Sequence, residues 1–107
     1  MKSKFLSFQN GTTFYKIPID DILFIQVKDD YCAIITGSYS CWMKITMQHL
    51  LELLPENQFY RVHRFYTVNL NLVTGVGKNF LLVQDQRIPV SRSLSPAFNE
   101  QFIKSCN

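Results

Sequence analysis

Phe59-Tyr60-Arg61-Val62-His63-Arg64-Phe65-Tyr66-Thr67-Val68-Asn69-Leu70 holds two strand-like runs, Phe59 to Val62 and Tyr66 to Leu70, with Arg64 at the join. Aromatic and β-branched residues suit a pleated, half-buried surface, and the polar cluster between the runs interrupts it. A second stretch, Ile88-Pro89-Val90-Ser91-Arg92-Ser93, likewise sets an arginine at a strand's edge beside groups that donate hydrogen bonds. A guanidinium at a loop tip can grip a guanine edge or a phosphate through two contacts at once. These two stretches point to a β-fold that presents arginines from its turns.

Outward from them the strand rhythm continues. Phe5 to Phe8 ends at Asn10-Gly11, a strong turn signal, and Phe14 to Ile17 completes an opening hairpin. Ile22-Leu23-Phe24-Ile25-Gln26-Val27 is apolar enough to be buried on both faces. Lys28-Asp29-Asp30 breaks it before Tyr31 to Ile35, and Gly37-Ser38 turns the chain into Tyr39 to Ile45. One helix interrupts, over 47–54. Thr46 caps it, Pro55 stops it, and Met47, Leu50, Leu51 and Leu54 form one apolar stripe. Its outer face offers Gln48, His49 and Glu52, too little to read base edges, so this is a core helix. Val73 to Val76, Phe80 to Val83 and Arg87 to Val90 follow, with turns at Gly77-Lys78-Asn79 and Asp85-Gln86. Ser95 and Pro96 then suit the start of a short C-terminal helix carrying Phe98 and Phe102 on one face. Trp42 and the cysteines Cys32 and Cys41 read as core. The expectation is a mainly β, elongated antiparallel domain with one core helix, occupying residues 1–107 as a single unit.

Composition narrows the function. The chain has 107 residues and a formal net charge of +3, but the charge is uneven. Residues 1–60 carry five lysines against six acids, a net of −1, whereas residues 61–107 carry six cations against two acids, a net of +4. All arginines lie between positions 61 and 92. This asymmetry suits either a polyanion-binding surface or an ordinary solvated basic face. No apolar run approaches the ~18 residues a membrane span needs, and the N-terminus has no hydrophobic signal core. The chain therefore reads as soluble and cytoplasmic. Three cysteines without framework spacing read as reduced thiols. Cys32, Cys41, His49 and His63 lack the paired spacing of a metal site, so no metal or cofactor is expected. No motif surrounds a cysteine–histidine pair, and no catalytic residue is assigned.

Four fragments in the same order resemble the LytTR family of bacterial DNA-binding domains. Ile17-Pro18-Ile19-Asp20-Asp21-Ile22-Leu23-Phe24-Ile25 is similar to its first signature strand, and Met47 to Pro55 to its helix. The two arginine-bearing stretches resemble its F-x-R-[IV]-H-R-S-[YF]-x-V-N and I-P-V-S-R patterns. Phe65 departs from the usual serine, Gln26 from a common glutamate, and Asp29-Asp30 from Gly-Asn or similar. The resemblance implies loops inserted into successive major grooves of duplex DNA, with Arg64 and Arg92 contacting bases. It implies backbone or supporting contacts from the Lys28-Asp29-Asp30 loop, Lys28 and Asp30 in particular, and from His63, Lys78, Ser91 and Ser93. His63 has a second reading, since alternation places it with Arg61 opposite Val62 and Arg64: a buried ring satisfied by a backbone carbonyl. Asn69 reads as a strand-end hydrogen-bonder. The implied partner is double-stranded DNA, bound by two copies on direct repeats, with a receiver domain possible in a longer chain. The alternative is a β-rich protein-interaction or single-strand-binding module, with Tyr31, Tyr39, Tyr60 or Tyr66 stacking bases.

Overall fold

The computed structural model describes residues 4–93 and 100. The chain opens with a hairpin of β1 (Phe5–Asn10) and β2 (Thr13–Pro18), whose turn places Gly11 at φ 64°, where a residue without Cβ is unstrained. After a 3-10 turn (Ile19–Asp21) come β3 (Ile22–Lys28), β4 (Tyr31–Thr36) and β5 (Ser40–Met43). Helix α1 (Met47–Glu52) leads to β6 (Phe59–His63) and β7 (Tyr66–Asn69). A second 3-10 turn (Leu70–Leu72) precedes β8 (Val73–Gly77), β9 (Phe80–Val83) and β10 (Gln86–Pro89). Every strand pair is antiparallel. The order is β5-β4-β3-β7-β6 in a central sheet and β10-β9-β8 in a smaller one, with β1-β2 separate. The principal extents, 43 × 30 × 24 Å, match the expected elongation.

The central strand β3 is buried on both faces, as its apolar run predicts. Ile22 and Ile25 join Leu6, Ile17, Ile34, Met47, Leu50 and Leu54 in a core between the sheet, the hairpin and the helix. Leu23 and Phe24 join Val62, Val68, Leu81, Val83, Ile88 and Val90 in a second core, which seats the small sheet on the other face. Each fully buried aliphatic side chain contributes about 1.5–3 kcal/mol, so two cores account for a domain without staples.

The helix forms as its sequence dictates. The Thr46 hydroxyl accepts from the His49 amide at 3.1 Å, and Met47, Leu50 and Leu54 are buried while His49 is exposed. It is shorter than the expected 47–54. Leu53 N–H donates to Leu50 O at 3.0 Å and Leu54 N–H to Leu51 O at 3.2 Å, tightening the last turn before Pro55. Asn69 is fully buried: its Nδ2 donates to Ile22 O at 2.9 Å and its Oδ1 accepts from Asn71 N at 3.0 Å. It ties β7 to β3 and caps the following turn.

Three expectations change. Trp42 is 50% exposed, because β5 is an edge strand whose other face, Cys41 and Met43, packs on the first core. Cys41 is correspondingly only half-buried, whereas Cys32 is fully buried. The β9–β10 turn is Gln84-Asp85, with Gln84 at φ 54° and Gln86 already paired to Val83. The expected C-terminal helix lies outside the described residues.

Candidate nucleic-acid interface

Strand direction gathers the predicted residues. β3 and β6 both run antiparallel to β7, so both finish at the same end of the central sheet. Lys28 pairs with Tyr31, leaving Asp29-Asp30 as a two-residue turn, and Asp29 takes φ 55° there. His63 pairs with Tyr66, leaving Arg64-Phe65 as the neighbouring turn. Val27 N–H donates to Phe65 O at 2.8 Å and holds the two turns together. A shallow cleft of about 420 Å³ lies between them, lined by Gln26, Val27, Lys28, Asp29, Phe65 and Tyr66.

The Arg64 turn is closed from several sides. Arg61 Nη2 donates to Arg64 O at 2.7 Å, and Phe65 N–H donates to His63 Nδ1 at 3.2 Å. The Arg64 guanidinium lies 4.5 Å from the centre of the Phe65 ring. His63 packs its ring 5.7 Å from both Phe65 and Tyr66. This corrects the reading of His63 as a buried ring satisfied by a carbonyl. The ring is half-buried and its Nδ1 accepts, which in the neutral form places the proton on Nε2.

A β-bulge explains why alternation fails at this point. Arg61 pairs with Thr67 and His63 with Tyr66, so Val62 has no partner across the strand. Its side chain is buried in the second core, and its carbonyl accepts from Ser91 N–H at 2.8 Å. The bulge thereby seats the Ser91-Arg92-Ser93 segment beside the end of β6. Ser91 is half-buried, Arg92 and Ser93 are exposed, and the two serine hydroxyls lie 3.4 Å apart.

Lys78 belongs to the same end. β8 and β10 run parallel to each other, and Val90 N–H donates to Asn79 O at 3.0 Å. Gly77 pairs with Phe80, so Lys78-Asn79 is the turn, with Asn79 at φ 62° and Lys78 exposed. The Phe80 ring covers Gly77 so closely that a Cβ there would overlap it, and the Arg87 guanidinium lies 3.8 Å from that ring's centre.

Lys28, Asp30, His63, Arg64, Lys78, Ser91, Arg92 and Ser93 thus occupy four segments linked by three backbone hydrogen bonds. Asp29 and Asp30 are exposed and share a cleft of about 520 Å³ with Lys44 and Arg61. Beneath it, burial pushes the Cys32 thiol above its ordinary pKa, opposed in part by the Arg61 guanidinium. That thiol donates to Ile45 O at 3.2 Å. A protonated, buried thiol is a poor nucleophile. Among the described residues no group of three or more His, Cys, Asp or Glu side chains could hold a metal ion, and no helix is long and apolar enough to cross a membrane. Arg61, Phe65, Phe80 and Arg87 are partners of the turns that the sequence pattern does not mark. An aromatic beside a turn arginine was the available signal at Phe65.

A β-rich module that carries cationic hairpin turns at one end is the class of protein this geometry defines. Residues 12–103 match the LytTr DNA-binding domain, and the chain belongs to the LytTR family. A response regulatory protein of Vibrio cholerae is 24% identical over 87% of this chain and 39% of its own length. The transcriptional regulatory protein YpdB of Escherichia coli K12 is 29% identical over 78% of this chain and 37% of its own. The chain therefore spans under two fifths of these relatives. Among solved structures, the LytTr DNA-binding domain assigned to a methyl-accepting/DNA response regulator from Bacillus cereus superposes with a TM-score of 0.80. That likeness, at 21% identity, covers 92% of this chain and 96% of the other, and bears on the fold.

Proposed function

We propose that this domain reads a specific duplex DNA sequence through its turns and serves bacterial transcription regulation in the cytoplasm. The observation that carries the reading is the joining of the Lys28, Arg64, Lys78 and Arg92 segments at one end by the Val27–Phe65, Val62–Ser91 and Asn79–Val90 backbone bonds. Arg64 and Arg92 each make a bidentate contact to a guanine, in different major grooves. Lys28, His63, Lys78, Ser91 and Ser93 position the backbone, and Asp30 supports its turn or accepts from a cytosine amino group. Residues 1–107 act as one DNA-binding domain, either alone or as the output of a longer response regulator with a receiver domain.

One copy presents few base-reading groups, so two copies bind direct repeats about one helical turn apart, roughly 10–10.5 bp between centres. Selection from random duplexes with the purified domain tests class and specificity together. It is expected to return a repeated element, and inserting half a turn between repeats is expected to abolish paired binding. Enrichment of no duplex at all, or indifference to spacing, would overturn the corresponding part of the reading.

A further inference from the structure

We propose that Arg61 and Phe65 are positioning residues that fix Arg64 in one reading pose before DNA arrives. The inference rests on Arg64 being a base reader and adds where its selectivity comes from. An exposed arginine is a flexible side chain, and ordering it at an interface costs binding free energy. Here the turn removes much of that freedom in the free protein. Arg61 Nη2 holds the Arg64 carbonyl at 2.7 Å, which fixes the backbone from which the side chain departs. The Phe65 ring offers its face to the guanidinium 4.5 Å away, a favourable cation–π distance.

Phe65, though 40% exposed, is itself held at its backbone and against one neighbouring ring. Its carbonyl is held by Val27 N–H at 2.8 Å, its amide donates to His63 Nδ1 at 3.2 Å, and its ring lies 5.7 Å from the His63 ring. A fixed ring limits the directions open to the stacked guanidinium while leaving its edge donors available. Arg61 is exposed, yet its guanidinium is turned from β6 to the neutral Arg64 carbonyl three residues on. Its role is therefore distinct from that of a phosphate-gripping cation, although both carry the same charge.

The test is a duplex panel with each base pair of the selected site varied, read for the wild type, Arg61→Gln, Phe65→Leu, Arg64→Ala and the two double variants. Arg61→Gln and Phe65→Leu are each expected to cut discrimination roughly three- to tenfold at the base pair that Arg64 reads. Discrimination at the pair read by Arg92 and the salt slope are expected to stay unchanged. In the Arg64→Ala background neither substitution has anything left to position, so no further loss follows. Phe65→Tyr, which keeps the ring, retains selectivity. Nitrogen relaxation at the Arg64 side chain of the free protein gives a readout without DNA, with order expected to fall in Phe65→Leu. An equal loss on every duplex with a shallower salt slope would make Arg61 a phosphate contact and overturn the assignment. Loss of selectivity in Arg64→Ala, but not in Arg61→Gln or Phe65→Leu, would overturn this inference alone. If Arg64→Ala itself keeps full selectivity, the base-reading role falls and this inference with it.

Discussion

The Arg64 turn and the Arg92 segment present the same side chain on different supports. Arg64 sits between two paired strands, with its carbonyl bound by Arg61 and its guanidinium on a ring. Arg92 follows the last strand, where Ser91 N–H to Val62 O fixes one flank and the Ser91–Ser93 hydroxyl pair the other. On the function proposed above, the contrast would separate a reader ordered in advance from one that orders on contact. Ordering a side chain at an interface costs about 0.5–1.5 kcal/mol, so equal contacts yield unequal net binding.

The largest way to break the comparison is through the second core. Ile88 is 2% exposed and helps seat the small sheet that carries the Arg92 segment. Ile88→Ala is expected to cost about 2–5 kcal/mol of stability, measured by denaturant unfolding. Corrected for the folded fraction, residual damage should fall on the Arg92 base pair; equal damage at the Arg64 pair would mean the two supports are one.

Next come the arginines themselves. Arg64→Ala and Arg92→Ala should each cost about 1–3 kcal/mol of specific binding and relax preference at one or two base pairs. The pre-ordered Arg64 should lie at the upper end and Arg92 at the lower. Lysine should fail to restore either fully, because a point charge does not reproduce the planar fork. Both residues are exposed, so melts should move by no more than about 0.5 kcal/mol. A reversed order in a competition titration would refute the argument from pre-ordering.

Lys78 sharpens the contrast by having neither role. With roughly four to six cations on the backbone, log affinity should fall with log salt at a slope near −4 to −5. Lys78→Ala should reduce that slope by about one and weaken every sequence alike. A loss confined to one base pair would promote it to a reader. The smallest effect lies in the first core, at Cys32. Because burial raises the folded Cys32 pKa, the unfolded thiol ionises first as pH rises. Stability is full below the ordinary thiol value, about 8.5, and declines above it until the folded thiol also ionises. Melts of wild type and Cys32→Ala across about pH 8–10.5 should show the wild type losing stability relative to the variant as pH rises.

Much of this was legible in the chain. Runs such as Ile22 to Val27 declare a strand with two apolar faces, and Thr46, Leu50 and Pro55 declare a capped helix. The two arginines were visible because strand edges are marked by composition. The bulge was not: alternation assigns His63 to a face by counting, and the unpaired Val62 resets that count. Trp42 misled for a related reason, since hydrophobicity says nothing of whether a strand lies at a sheet's edge. Arg61 and Phe65 showed only as a spare cation and a departure from a pattern, because a guanidinium-to-carbonyl bond within a turn leaves no periodic trace.

The placing of β3 between β4 and β7 has a consequence for how the molecule comes into being. Its β4 neighbour follows directly, across Lys28 and Tyr31, whereas its β7 neighbour pairs Phe24 with Val68 from far along the chain. Pairings distant in sequence form slowly, because loop closure must precede the contacts that reward it. During synthesis the first hairpin and the β3–β4 meander can assemble early, while the Arg64 turn waits for β7. The Arg92 segment waits longer still, for the strand that ends at Pro89. A partly made chain would therefore carry Lys28 on a formed turn with neither arginine in place, and its first sixty residues, at a net charge of −1, would have no general attraction for a polyanion.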